Sequence, residues 1–211
     1  MIQIRDVLQV KFGKIDQAVD LFKEQPEMDP TSFMPGRQFE VLTDISGPMY
    51  TLVNEFLVDS LAEYEAGRAR QFSSSKFDEW FRQFQLFIEG GRREYYQVEG
   101  PYEAWSRPGV VAVRETYQAY KWQIRNAVEL LERYGGLLSF YGVGQKPRIL
   151  TDASGQMFRA GIEIERESMS AWESRRRSLF EQVEFQTWFN QLLTTAEAGH
   201  HEFWRVEHSR Q

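Results

Sequence analysis

At 211 residues, 42% hydrophobic and 15% aromatic, the chain can bury one large core or two small ones, and its composition is globular. A formal net charge of -6 argues against a nucleic-acid partner, because such a partner demands a basic field that displaces phosphate counterions. The chain has no cysteine, which excludes disulfides, thiolate metal sites and cysteine nucleophiles; no apolar run is long enough to span a bilayer and no signal peptide is visible, so a cytoplasmic protein with no membrane partner is expected.

Ile2, Ile4, Leu8 and Val10 alternate with Gln3, Arg5, Gln9 and Lys11, the period of a half-buried strand, and Asp6 falls on its apolar side. Gly13 closes that strand, and Ile15, Ala18, Val19, Leu21 and Phe22 then recur at helical spacing. Residues 24–37, with Pro26, Pro30, Pro35 and Gly36, read as a breaker-rich connection. A hairpin follows, with strands over 38–44 and 49–58 around Ser46-Gly47-Pro48. Ser60 sits where a helix N-cap belongs, with Glu63 three residues on as in a capping box. Ser75 restarts a helix whose Phe77, Trp80, Phe81, Phe84 and Ile88 form an apolar stripe; Gly90-Gly91 is expected to end it, with a fourth strand over 94–99.

The chain then writes this pattern again. Without a gap, Phe77, Trp80, Phe81, Gln83 and Glu94 meet Phe185, Trp188, Phe189, Gln191 and Glu202. At the same offset of about 108 residues, Val41-Leu42-Thr43-Asp44 meets Ile149-Leu150-Thr151-Asp152, and Glu55 meets Glu163. One residue further apart, Ile4-Arg5-Asp6 and Gln9 meet Val113-Arg114-Glu115 and Gln118. The expected plan is a first repeat over 1–100, a linker over 101–109 and a second repeat over 110–211, each strand-helix-strand-strand-helix-strand. The second repeat places strands over 110–120, 148–166 (a hairpin) and 202–207, and helices over 123–134, 168–178 and 184–197, with a Gly-rich connection over 135–144. Such units give antiparallel sheets with helices on one face, so the fold class is α+β: two ferredoxin-like repeats whose sheets cover each other face to face as a pseudo-dimeric α+β barrel.

The run Glu55-Phe56-Leu57-Val58-Asp59-Ser60-Leu61-Ala62-Glu63-Tyr64-Glu65-Ala66 with Arg68, followed by Trp80 and Phe81, resembles the third strand and following helix of NIPSNAP-like proteins. That family belongs to the dimeric α+β barrel superfamily, which includes antibiotic-biosynthesis monooxygenases. The resemblance implies a fold; members differ widely in activity.

Both repeats keep polar residues opposite the apolar strand faces: Arg5 and Gln9 with Arg114 and Gln118, Glu55 with Glu163, Glu99 with Glu207. These eight are the candidate ligand-binding set, lining the space between the sheets; the alternative is that they close that interface as salt bridges and hydrogen bonds, since a buried charge must be paired. His200, His201 and His208 are the chain's three histidines. His200 and His208 stand about 27 Å apart along an extended strand, so no metal site is expected, and the three read as exposed residues near the C-terminus. The superfamily has haem-using members, but no matching motif is present here and no cofactor is expected. Arg175-Arg176-Arg177 reads as a solvated helix face. The aromatic stripes read as core, while Met28, Phe33 and Met34 in one loop and Leu137, Leu138, Phe140 and Tyr141 in the other suggest lids or a homo-oligomer contact. Three functions fit: binding of a small, partly apolar molecule; a cofactor-independent monooxygenase in which Arg5, Glu55, Arg114 or Glu163 polarises substrate; or a structural, self-associating module.

Overall fold

The computed structural model describes residues 1–28, 38–141 and 146–210. It is a mixed α+β protein with eight antiparallel strands and six helices among those residues. In chain order these are β1 Ile2–Val10, α1 Ile15–Met28, β2 Phe39–Asp44, β3 Thr51–Val58, α2 Leu61–Phe72, α3 Ser75–Phe87, β4 Ile88–Glu99, β5 Val111–Ala119, α4 Ile124–Phe140, β6 Arg148–Asp152, β7 Arg159–Arg166, α5 Met169–Phe180, α6 Val183–Thr195 and β8 Ala196–Arg210. No helix among the described residues is long and apolar enough to cross a membrane.

Two compact units result: Met1–Tyr95 with Ala104–Pro108 and the chain from Trp204 on, and Tyr96–Glu103 with Gly109–Phe203. In the first, β1 pairs antiparallel with β3 and β3 with β2, and β2 also pairs with Trp204–Arg210 of β8. In the second, β5 pairs with β7 and β7 with β6, and β6 also pairs with Tyr96–Glu99 of β4. Strands β4 and β8 are therefore at least twice as long as the expected 94–99 and 202–207, through pairing between distant segments that no local pattern announces.

Each unit's core lies between its sheet and its helices. In the first, Val10, Leu52 and Val41 of the sheet meet Phe22 of α1 and Phe77 and Trp80 of α3. In the second, Ala119, Ile149 and Ile162 meet Leu131 and Leu138 of α4 and Phe185 and Trp188 of α6. The two units match down to single bonds. Trp80 Nε1 donates to the Leu21 carbonyl at 3.0 Å and Trp188 Nε1 to that of Leu130 at 2.6 Å. Asp44 and Asp152 each accept from a backbone N–H seven residues on, both at 2.7 Å. Ser60 and Ser168 cap α2 and α5 by accepting from the N–H of Glu63 and Ala171.

Several boundaries differ from the pattern-based expectation. Helix α1 continues through Pro26 to Met28, and α4 continues through Gly135-Gly136 to Phe140 because Leu138 is fully buried against the core. Leu137 and Leu138 are therefore helical rather than loop residues; Phe33, Met34 and the side chain of Met28 lie outside the described residues. Helix α3 ends at Phe87, and Gly90 and Gly91 belong to β4. Gly91 is needed there for proximity: a Cβ would meet the Val7 carbonyl oxygen at 2.8 Å, and at the matching Gly199 it would meet the Tyr117 ring at 2.8 Å.

Candidate functional site

On β1 the side chains of Gln3, Arg5 and Gln9 face away from the helices, and Ile4, Asp6, Leu8 and Val10 face toward them. On the first of these faces Arg5, only 2% exposed, donates from Nε to Glu55 Oε1 at 2.9 Å and from Nη1 to Glu94 Oε2 at 3.1 Å. Gln3 donates to the other Glu55 oxygen at 3.3 Å, and the guanidinium lies 4.8 Å from the Trp204 ring centroid. In the second unit Arg114 Nε donates to Glu163 Oε1 at 2.7 Å, Arg148 approaches Oε2 at 3.5 Å, and Arg114 stacks 4.7 Å from the Tyr96 centroid. So the structure brings Arg5 to Glu55 and Arg114 to Glu163. The other four stand elsewhere: Gln9 and Gln118 donate to the hairpin carbonyls of Met49 and Met157, both at 2.8 Å, and Glu99 and Glu207 each accept at 2.8 Å from Thr151 and Thr43.

The helix-facing side holds a different arrangement. Each unit has a pocket between sheet and helices, about 380 Å³ in the first and 330 Å³ in the second. None of the eight candidate residues lines either one. Their walls are the repeated aromatic stripes, Phe77, Trp80, Phe81 and Phe84 in one and Phe185, Trp188, Phe189 and Leu192 in the other. The stripes are thus both core and pocket wall. A strand carboxylate lies on each floor: Asp6, and its repeat counterpart Glu115.

The two carboxylates are held differently. Arg93 of β4 clasps Asp6 with two N–H groups, Nε to Oδ1 and Nη2 to Oδ2, the latter at 2.7 Å, and also donates to the Tyr64 hydroxyl. This bond to Asp6 and its charge raise the Arg93 pKa although burial alone would lower it. Tyr64 is pushed up to about 12, burial and a bond to Tyr95 outweighing the neighbouring guanidinium of Arg93.

Glu115 is 4% exposed and accepts from the Tyr117 hydroxyl at 2.7 Å and from that of Tyr134 at 3.5 Å. His201 Nε2 stands 3.6 Å from Glu115 but 2.9 Å from Arg176 Nη1. A guanidinium can only donate, so that contact calls for Nε2 as its acceptor. Burial drives the Glu115 pKa up, yet the contacts with His201, Tyr117 and Arg176 outweigh it and the carboxyl is held below its ordinary value. Tyr117 and Tyr134, desolvated and beside that anion, are pushed well up and remain neutral donors.

Among the described residues no group of three or more His, Cys, Asp or Glu is placed to hold a metal ion. His201 is half-buried on the pocket wall rather than exposed, and His208 packs 5.7 Å from the Phe39 ring. Sequence patterning passed over Tyr117 and Tyr134 and read Arg176 as part of a solvated helix face and His201 as exposed, whereas these four residues, from four different elements, all line this pocket. The available signal was an acid on the apolar side of a strand, Asp6, kept as Glu115.

No protein-family model matches the chain, and no curated protein matches it. Solved structures do. A candidate monooxygenase from Fusobacterium nucleatum is 9% identical with a TM-score of 0.75, covering 100% of this chain and 94% of that one. An anthrone oxidase-like protein is 12% identical with a TM-score of 0.71, covering 99% and 92%. A candidate monooxygenase from Lactobacillus acidophilus is 5% identical with a TM-score of 0.72, covering 100% and 95%. These likenesses establish the fold over the whole chain. The structural neighbours also include NIPSNAP domain proteins, one from Burkholderia xenovorans aligning with 48% of this chain at 15% identity and a TM-score of 0.42.

Proposed function

We propose that the chain is a NIPSNAP-like protein of two ferredoxin-like α+β repeats, residues 1–100 and 110–211, that binds a small, partly apolar molecule between sheet and helices. The observation that carries this reading is the repetition of the pocket itself: both units keep an aromatic wall, an arginine from the same helix position (Arg68 and Arg176) and a strand carboxylate beneath it. A cavity of 330 to 380 Å³ with few convergent polar groups is of the size and character that small ligands use. In this reading the Arg5–Glu55 and Arg114–Glu163 pairs are scaffolding, because their charges are already matched inside the fold. A cytoplasmic location remains part of the proposal, and self-association is supported by the exposed rings of Phe12, Trp122 and Phe140.

A second reading, a cofactor-independent monooxygenase, is favoured by one feature, the ionised Glu115 in an apolar pocket beside two neutral tyrosines. Glu115 would then accept a proton from an acidic substrate. The bonds that keep it ionised also make it a weak base, which favours binding over proton abstraction.

Native mass spectrometry of the protein from its own cells tests the proposal. Gly90 has open space where a Cβ would go, and Ala198 lines the second pocket. Wild type is expected to retain a non-covalent mass that Gly90→Trp or Ala198→Trp removes. A bare wild-type mass that cell extract leaves unchanged overturns the proposal and moves weight to the structural module.

A further inference from the structure

The two pockets differ in which polar groups they leave unanswered. In the second unit Arg176 has an acceptor, the His201 ring nitrogen at 2.9 Å. The matching position in the first unit holds Arg93, which cannot accept and is itself spent on Asp6 and Tyr64. Arg68 is consequently left half-buried over the Phe72 ring at 4.4 Å, with no carboxylate or carbonyl accepting from it among the described residues.

A second orphan lies on the same floor. Asn54, which pairs with Asp6 across β1 and β3, is 4% exposed and lines the pocket, and its Oδ1 has no hydrogen-bond partner. In the second repeat Ile162 stands at this place, facing Glu115 across the sheet. An unmatched buried acceptor is costly and native folds rarely keep one without a use.

We infer that the first unit's pocket takes an organic anion with an apolar ring body and an adjacent hydroxyl or N–H: the anion on Arg68, the donor on Asn54 Oδ1 and the rings against Phe77, Trp80 and Phe84. The second pocket, its arginine answered and its Asn54 place apolar, selects a neutral ligand. This inference rests on the pocket reading above, and the experiment separates the two.

The probe is 1-anilinonaphthalene-8-sulfonate, with N-phenyl-1-naphthylamine as the same ring and N–H framework lacking the sulfonate; each is titrated calorimetrically into the full chain. Wild type is expected to bind the sulfonate at one site. Arg68→Gln is expected to weaken it about tenfold or more, as loss of a charge-assisted bond does, while sparing the neutral analogue. Asn54→Leu is expected to weaken both probes several-fold. Arg177→Gln, which removes an exposed charge elsewhere, is the control for net charge and leaves both unchanged. Circular dichroism and thermal melting confirm that each variant is folded. Equal sulfonate binding by wild type and folded Arg68→Gln overturns the inference but leaves the pocket reading standing. Failure of wild type to bind either probe overturns both.

Discussion

The matching strand position carries Asp6 in one unit and Glu115 in the other, and the comparison shows what the two units share and where they differ. The aromatic wall, the tryptophan bond to a helix carbonyl and the arginine of the capped helix are common to both. What differs is the partner across the sheet: Arg93 clasps Asp6 directly, while the matching His201 stands beside both Arg176 and Glu115, and Glu115 also accepts from two tyrosines. Packing fixes shape, so it cannot drift without cost, whereas a charge needs only some partner nearby. Arg93 and His201 occupy the matching strand position, and among the described residues Arg176 has an acceptor there while Arg68 has none.

The hardest test of the shared part is to remove it from each unit in turn. Trp80 is 4% exposed and Trp188 1%, so Trp80→Ala and Trp188→Ala should each cost about 3–5 kcal/mol of stability in urea denaturation. The two losses should agree, since each removes the same indole bond to an equivalent helix carbonyl; a difference of several kcal/mol would mean that the units are not packed alike.

Next in size is the changed part. Glu115→Gln should cost about 1–3 kcal/mol at neutral pH, because Arg176 and the two tyrosines lose a buried anion. The sign of its pH dependence follows from the lowered folded-state pKa. Stability from Glu115 is fully present above its ordinary value of 4.5 and is lost as pH falls through the lower folded value. The gap between wild type and Glu115→Gln should therefore narrow only below about pH 4.5 and stay flat above it; a gap that instead closes between pH 6 and 8 would overturn the assignment to Glu115.

Much of this fold was readable before any coordinates. The Ser60–Glu63 cap, the hairpins and the helix stripes are local patterns, and they stand where spacing put them. The long β4 and β8 were not readable, because their extra residues pair with partners that the chain brings close only on folding. Gly90-Gly91 misled for a related reason: a glycine pair after a helix looks like a stop, but Gly91 answers to the backbone of β1. For the site, polar residues on the far strand face stood out by alternation, and Arg5 with Glu55 and Arg114 with Glu163 do meet. The pockets were hidden because their walls look like ordinary core. The acid beneath each wall was the one residue out of place.

A finer contrast lies among the tyrosines. Tyr64 rises to about 12, whereas Tyr117 and Tyr134 are pushed well up beside Glu115. For Tyr64 the folded value exceeds the ordinary 10.0, so its stability is present below pH 10 and lost as pH climbs toward 12. Absorbance at ~295 nm, where phenolate is read apart from phenol, should lose a component titrating near pH 12 in Tyr64→Phe. Tyr117→Phe and Tyr134→Phe should remove nothing that titrates at the ordinary phenol value of 10.0.

The smallest effect belongs to a contact that only one repeat has. Arg177 and Glu173 pair at 3.0 Å one turn apart on α5, with side chains 75% and 66% exposed. In the first repeat the position matching Arg177 is Ala69, while Glu65 matches Glu173, so the pair has no counterpart. Water screens such a charge and both long side chains lose freedom to meet, which limits an exposed helix pair to about 0.3–0.5 kcal/mol. Arg177→Ala, with the best helix former replacing the arginine, should accordingly shift the urea midpoint by less than any variant above and lose even that shift in 1 M salt. A loss larger than that of Glu115→Gln would show that the surface of the second unit, and not the charge beneath its pocket, sets the electrostatic difference between the repeats.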